Sequence, residues 1–262
     1  MLAIQAFSLL INKREKLKNL RLVLAGRLYC WHTIVTNFHL ILIFIGGYDS
    51  RLEDNVQTLT NLVSAVITLS FTYDIVSPTA IPPCASQLIP PRLEEDPQVL
   101  FLLNFTTAQR STLLHSPSTL ALLYTPANEH FGIVPIEAMV CGLPVLACDS
   151  GGPTESIISS PPSERTGWLR EPSPEIWSEA LIEIVSLSSD PTARALLSAC
   201  AKRRASGTFG MDAMAKGLED ALRVAESLGK VDIGWLELLP TIFMVFIGFI
   251  SAYLVGPFLF QS

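Results

Sequence analysis

The signals that decide the fold lie in NEHFGIVPIEAMVCGLPVLA, residues 128–147. Pro135 is expected near the first turn of a helix, because proline is tolerated there, and Gly142 is a common helix terminator. An apolar run follows at 145–147. The stretch therefore predicts a loop, a helix over 135–141 and a buried strand, which is the local order of a parallel sheet covered by helices.

The same alternation continues along the chain. Apolar runs predict strands at 21–25, 99–103, 120–124 and 145–147. Helical periodicity predicts helices at 51–65, 107–114, 175–186 and 191–204, after an amphipathic helix at the amino terminus. The proline-rich segment 74–97 reads as a surface loop. Together these elements predict an α/β, Rossmann-like domain.

The predicted helix at 135–141 begins in a way that favours anion binding. Backbone amides at Gly132, Ile133 and Val134 precede it and have no partner within the helix. The helix dipole also favours negative charge at this end, and open α/β sheets bind ligands beyond the carboxyl ends of their strands. We therefore expect a phosphate-type ligand here.

Two carboxylates flank these amides. Glu129 comes before the predicted helix, and Glu137 lies in what we expect to be its first turn. Carboxylates accept paired hydrogen bonds from vicinal hydroxyls, so a polyhydroxylated ligand would suit them. The alternative is that both glutamates only complement the helix dipole.

Composition excludes other kinds of site. The net charge is −6, from 24 acidic and 18 basic residues, and no basic stripe is present, so a nucleic-acid partner is not expected. The five cysteines are scattered and odd in number, which is typical of core thiols in a reducing compartment. No cysteine or histidine spacing suggests a metal site.

The carboxyl-terminal segment is strongly apolar. Residues 238–262 contain no charged side chain, while Lys216, Arg223 and Lys230 lie upstream. A run of about 20 apolar residues can span a bilayer as a helix, and the upstream cations place the preceding domain in the cytosol. Residues 229–262 are therefore predicted to be a transmembrane anchor.

Residues 27–46 form an anomalous insert. The sequence LVLAG before it would join smoothly to GYDSRLEDN after it, and the insert lacks helix-capping signals. One hypothesis is translated intron sequence, and the other is a genuine membrane-contacting insertion. The predicted domain thus consists of residues 1–26 and 47–228.

The motifs also resemble a known family. Glu129 and Glu137 with the intervening Phe131-Gly132, the run Gly142-Leu143-Pro144-Val145 and the run 151–155, GGPTE, resemble the donor-binding half of retaining GT-B glycosyltransferases. Residues 103–106, 124–126, 148–155 and 165–169 narrow the resemblance to the asparagine-linked glycosylation protein 2 family. It covers residues 2–26 and 47–228.

This resemblance implies an activity and a location. The family consists of GDP-mannose-dependent α-1,3/α-1,6-mannosyltransferases that extend a dolichyl-diphosphate-linked oligosaccharide. It implies metal-independent transfer without a cofactor, at the endoplasmic reticulum membrane with the catalytic domain facing the cytosol. Other mannosyltransferases of the pathway are possible partners.

The resemblance also implies residue roles. Glu129 would be the catalytic residue and would contact the transferred mannose. The amides of 132–134 would bind the sugar and the diphosphate, and Glu137 would bind the ribose diol. Gly151 and Gly152 would admit the diphosphate, although a plain turn explains them equally well. The predicted site is Glu129, Phe131, Gly132, Ile133, Val134, Glu137, Gly151 and Gly152.

Two departures from the family bear on activity. Its arginine and lysine, which neutralise the donor diphosphate, would precede Leu2, and its acceptor-binding domain has no counterpart in the 262 residues. Stabilising a departing diphosphate without these cations costs several kcal/mol, so we expect the chain alone to be inactive. The alternatives are a non-catalytic, membrane-anchored GDP-mannose-binding or interaction fragment, and a transferase of the same fold for another nucleotide sugar.

Overall fold

The computed structural model describes residues 1–13, 20–27, 30–36, 48–49, 51–77, 88, 97–229 and 235–259. The strands are β1 (Arg21–Arg27), β2 (Cys30–Thr36), β3 (Tyr73–Val76), β4 (Val99–Leu103), β5 (Thr119–Tyr124), β6 (Val145–Cys148) and β7 (Gly167–Arg170). The helices are α1 (Leu2–Lys13), α2 (Glu53–Thr68), α3 (Thr107–His115), α4 (Ile133–Val140), α5 (Pro153–Ser156), α6 (Pro174–Ser188), α7 (Pro191–Phe209), α8 (Met211–Ser227) and α9 (Trp235–Leu259).

The described strands form one sheet in the order β3-β4-β1-β2-β5-β6-β7. β2 is antiparallel to both of its neighbours, and the other pairings are parallel. The predicted α/β class is therefore confirmed. The prediction of a loop over 74–97 is wrong at its start, because β3 pairs there with β4, and most of the remaining loop lies outside the described residues.

The insert contributes a strand to the middle of this sheet. β2 pairs with β1 on one side and with β5 on the other. The rest of the insert, residues 28–29 and 37–46, lies outside the described part of the chain. Because β2 is antiparallel to both neighbours, β1 and β5 run in the same direction.

Helices cover both faces of the sheet. On one face, Phe7 of α1, Leu59 of α2 and Trp177 of α6 pack with the sheet residues Phe101 and Trp168. The other face packs against α4 and α7, and its buried cluster includes Leu122, Tyr124, Met139 and Ala201. Every residue of β5 and β6 is buried, as expected for central strands covered on both faces.

Local sequence sets where the helices begin. Asp190 caps α7 by accepting hydrogen bonds from the amides of Thr192 and Ala193, and Pro191 occupies the first helical position. Ser173 caps α6 in the same way, followed by Pro174. These capping side chains and prolines satisfy or remove amide donors that the helix itself cannot use.

The chain divides into two compact units, residues 1–210 and 211–262. The first unit contains the sheet. The second contains α8, which has no buried residue, and α9. Among the described residues, no helix combines the length and apolarity needed to cross a membrane, so the predicted transmembrane anchor at 229–262 is not supported.

Candidate functional site

The candidate site lies where β5 and β6 end. The loop after β5 leads into α4, and the loop after β6 leads into α5. These are the carboxyl ends of parallel strands, where open α/β sheets bind ligands. All eight residues of the predicted site lie on these two loops or on α4, so the fold brings them to one edge of the sheet.

The first turn of α4 leaves amides free. The helix begins at Ile133, two residues before the predicted start, and its N-cap Gly132 provides no side-chain hydrogen bond. Pro135, the third helical residue, has no amide hydrogen. No described residue accepts a hydrogen bond from the amides of Ile133 and Val134. These two donors are therefore available to a ligand.

Gly132 is required where it stands. Its φ of 75° is in the left-handed region, and a Cβ there would lie 2.7 Å from the hydroxyl oxygen of buried Tyr124. Both conditions disfavour any larger residue. Gly132 thus allows the chain to turn from the loop into α4 directly above the end of β5.

Gly151 and Gly152 serve the packing of the two loops. The amide of Gly152 donates to the carbonyl oxygen of Glu129 at 2.8 Å. A Cβ on Gly151 would collide with that carbonyl, and one on Gly152 would collide with the backbone of Phe131. Packing between the two loops explains both glycines without a ligand, and their contact with a diphosphate remains a prediction.

Glu137 forms an ion pair that the sequence did not reveal. It is the fifth residue of α4, two residues further along than expected and in the second turn, so complementing the helix dipole does not explain it. Its Oε2 accepts a hydrogen bond from Nη1 of Arg110 at 2.8 Å, and both side chains are 28% exposed. Burial raises the pKa of the Glu137 carboxyl above its usual value, and the Arg110 cation opposes the rise.

Arg110 lies on a helix whose start is well defined. The hydroxyl of Thr106 accepts from the Gln109 amide, while Oε1 of Gln109 accepts from the Thr106 amide, which is a complete capping box. Just before it, Asn104 donates to and accepts from the backbone of Tyr48. The Thr106-to-Gln109 spacing was the sequence signal for this rigid start, but nothing local indicated that Arg110 faces Glu137.

Glu129 and Phe131 occupy the loop before α4. Glu129 is partly buried, and its neighbour Asn128 donates its amide to the Ser150 hydroxyl at 3.1 Å. The Phe131 ring is 42% exposed and packs against Phe209 with ring centroids 5.7 Å apart. The site therefore combines one carboxylate and one aromatic ring before the helix with a second carboxylate one turn inside it.

No group of three or more histidine, cysteine, aspartate or glutamate side chains in the described ranges could hold a metal ion. The cysteine thiols near the site are buried or partly buried. Burial raises the pKa of the Cys148 thiol to about 11, and its Sγ donates to the Thr125 carbonyl oxygen. This thiol is a structural group, as the sequence predicted for core cysteines.

Comparison with known proteins identifies the fold and the family. The family model "Glycosyl transferases group 1" matches residues 93–203, which include α3, α4 and both loops. Sucrose-phosphate synthase from Thermosynechococcus elongatus shares the fold, with a TM-score of 0.50 and 18% identity over 86% of this chain and 43% of that one. The class defined by fold and site is thus a group 1 glycosyltransferase domain with a GT-B-like α/β fold.

The curated relatives identify a narrower family than the family model does. The α-1,3/1,6-mannosyltransferase ALG2 of Kluyveromyces lactis is 30% identical over 96% of this chain and 49% of its own length. The mouse protein of the same name is 33% identical over 82% of this chain and 44% of its own length, and the human one is 34% identical over 79% and 42%. The chain belongs to the ALG2 family of α-1,3/1,6-mannosyltransferases, and it spans about half the length of these relatives.

Proposed function

We propose that this chain is the donor-binding half of a mannosyltransferase that uses GDP-mannose to extend a dolichyl-diphosphate-linked oligosaccharide in N-glycan precursor assembly. The supporting observation is the placement of Glu129 and Glu137 on either side of the free amides of Ile133 and Val134. The names of the ALG2 relatives support the reaction class.

The proposed roles are those that the family resemblance implies. The amides at the start of α4 bind the diphosphate, because they present free donors at the positive end of a helix. Glu129 contacts the mannose from the preceding loop. Glu137 accepts the ribose hydroxyls, and Phe131 offers its exposed ring to the same ligand.

Calorimetric titration of the chain with GDP-mannose tests this function. We expect GDP-mannose to bind, GDP to compete with it for the same site, and UDP and ADP to compete more weakly. Glu137→Gln should weaken binding about tenfold or more, because a charge-assisted hydrogen bond is lost. Glu164→Gln, at an exposed loop position, is the matched control and should bind normally. No detectable binding of GDP-mannose or GDP would refute the proposal.

The 262-residue chain expressed by itself is proposed to bind the donor without transferring mannose. The reason is chemical: the departing diphosphate needs cationic stabilisation, and Arg110 is already paired with Glu137. Transfer in the complete enzyme is proposed to need no metal. Mannose transfer by the purified chain to a lipid-linked chitobiose acceptor would contradict the first statement, and loss of the complete enzyme's activity in EDTA the second.

We also propose that the chain acts at the endoplasmic reticulum membrane, with the sheet domain in the cytosol. The uncharged run 238–262 supports it, as do exposed apolar side chains of α9 such as Phe243, Phe246 and Phe249. Such an apolar surface favours lipid over water. Fractionation of cell membranes should recover the chain with the endoplasmic reticulum, and its recovery in the soluble fraction alone would contradict this location.

A further inference from the structure

The Arg110–Glu137 pair joins two elements of the site. Arg110 lies on α3, which follows β4, whereas Glu137 lies on α4, which follows β5. The pair therefore ties together two helices that begin at the ligand-binding edge of the sheet. At 28% exposure, each side chain is only partly accessible to solvent, so the contact is screened less than a surface ion pair.

The pair leaves half of the carboxylate available. Only Oε2 of Glu137 accepts from Arg110, and no hydrogen bond to Oε1 from a described residue is found. A carboxylate that accepts one fixed hydrogen bond has its orientation set while its remaining lone pairs can still accept others. In functional sites generally, a neighbouring side chain that does not touch the ligand often holds the ligand-binding group in place through a hydrogen bond.

We propose that Arg110 is a positioning residue, which holds Oε2 of Glu137 so that Oε1 can accept the ribose hydroxyls of a nucleoside diphosphate. This inference rests on the proposed function, in which Glu137 binds the ribose. Arg110 acts through Glu137 and does not itself touch the ligand. Its cation also favours the ionised form of Glu137, against the effect of burial on that carboxyl.

The pH behaviour follows from the charged groups around α4. The charged and titratable groups on the described elements that contact α4 include Arg110 and His115 on α3, Lys202 on α7, Glu155 on α5 and Tyr124 on β5, together with Glu129 and His130 in the preceding loop and Cys141 at its end. Burial, and secondarily Glu137, raises the pKa of Cys141. His115 contacts Cys141, with Nδ1 3.7 Å from Sγ. Arg110 is the cation whose charge and hydrogen bond lower the pKa of Glu137.

The test is calorimetric titration of the full chain with GDP and with 2′,3′-dideoxy-GDP between pH 5.5 and 8. The wild type should bind the dideoxy compound about tenfold more weakly than GDP, or weaker still, since that compound has no ribose hydroxyl to donate to Glu137. Arg110→Met should weaken GDP about tenfold at neutral pH, and further as the pH falls, while binding of the dideoxy compound stays unchanged. Arg110→Lys, which keeps the charge, should recover most of the GDP affinity.

Two controls separate positioning from a purely structural effect. Arg223→Met removes an exposed ion pair with Glu219 in the second unit and should change neither affinity. His115→Gln should leave the pH dependence of GDP binding as in the wild type. Thermal melting of each variant, measured in the same buffers, shows whether the domain remains folded.

Each outcome has a distinct meaning. If Arg110→Met binds GDP as the wild type does, or weakens both ligands equally, Arg110 does not position Glu137 and this inference fails while the proposed function stands. If the wild type binds GDP and the dideoxy compound equally well, the ribose role of Glu137 fails, and the inference fails with it. If the wild type binds neither, the proposed function itself is wrong.

Discussion

At the scale of single residues, the site depends on small residues and on one shared charge. Gly132, Gly151 and Gly152 each occupy a position where a Cβ would meet an atom of a neighbouring segment. Glu137 and Arg110 instead balance burial against charge pairing. Steric fit therefore sets the path of the loops, whereas burial and the Arg110 charge set the protonation equilibrium of the Glu137 carboxyl.

Replacing Gly132 with alanine should destabilise the first unit by about 1–2 kcal/mol, because an L-residue is strained at this left-handed φ. The buried hydroxyl of Tyr124 adds a steric cost. Urea unfolding measures the change. Gly207→Ala is the matched control: it lies in α7 with open space around it, so it should stabilise the protein by about 0.5–1 kcal/mol. Equal effects at the two positions would contradict this interpretation.

We expect the ionised Glu137 carboxylate to lower the stability of the fold while it strengthens ligand binding. Because burial raises its pKa in the folded chain, its ionisation disfavours the fold, and that cost appears as the pH rises through the folded pKa. Glu137→Gln should therefore melt at a higher temperature than the wild type at pH 7. The difference should shrink on acidification and vanish near about pH 4, where unfolded glutamates become protonated. A variant less stable than the wild type at pH 7 would show that the Arg110 pair outweighs burial.

At the scale of elements, β2 and the helices flanking the site differ in how far their neighbours depend on them. α3 and α4 are tied together by an ion pair, and α7 packs on α4 through buried residues such as Ala201. β2 lies between two strands that run in the same direction, so its removal leaves two edges that are compatible with direct parallel pairing.

Deletion of residues 27–46 should yield a chain that still folds and binds GDP. The deletion removes β2 and one residue of β1, and it joins Gly26 to Gly47. Hydrogen exchange should then show protected amides in both β1 and β5, as expected for a new parallel pair. A deletion variant that is insoluble, or whose β1 amides exchange freely, would show that the insert is an integral part of the sheet. Sequencing the transcript separately tests its intron origin.

At the scale of the whole molecule, the two units differ in how they are stabilised. The first unit has helices on both faces of its sheet and a buried core. In the second unit, α8 has no buried residue, and apolar side chains such as Met214, Leu218 and Leu222 are exposed. Burial of apolar surface, the main stabilising term, is therefore concentrated in the first unit.

A chain ending at Gly210 should unfold cooperatively at the wild-type temperature and bind GDP with unchanged affinity. The reason is that the truncation removes no buried residue of the described α8. A chain ending at Ser189 is the control. It loses α7, whose Leu197, Cys200 and Ala201 are buried, so it should lose cooperative unfolding. If the longer truncation product were also molten, the second unit would be required for folding.

Much of this architecture was predictable from local patterns. Periodicity identified α1, α2, α6 and α7 to within a few residues, and short apolar runs identified β1, β4, β5 and β6. β3 and β7 were not among the predicted strands. Both are only four residues long, and β3 begins with the polar pair Tyr73-Asp74. Such strands form because a neighbouring strand supplies hydrogen bonds, and no sequence window contains that neighbour.

The sequence by itself determined the α/β class, the family and the loop, helix and strand that carry the candidate site, because periodicity, proline and glycine act over a few residues. Tertiary structure decided that Arg110 contacts Glu137 across 27 positions, that Gly151 and Gly152 pack against the other loop, and that β2 enters the sheet. These features depend on which surfaces meet after the chain folds. Contacts between residues far apart in sequence leave no local pattern, so only the packed sheet and helices reveal them.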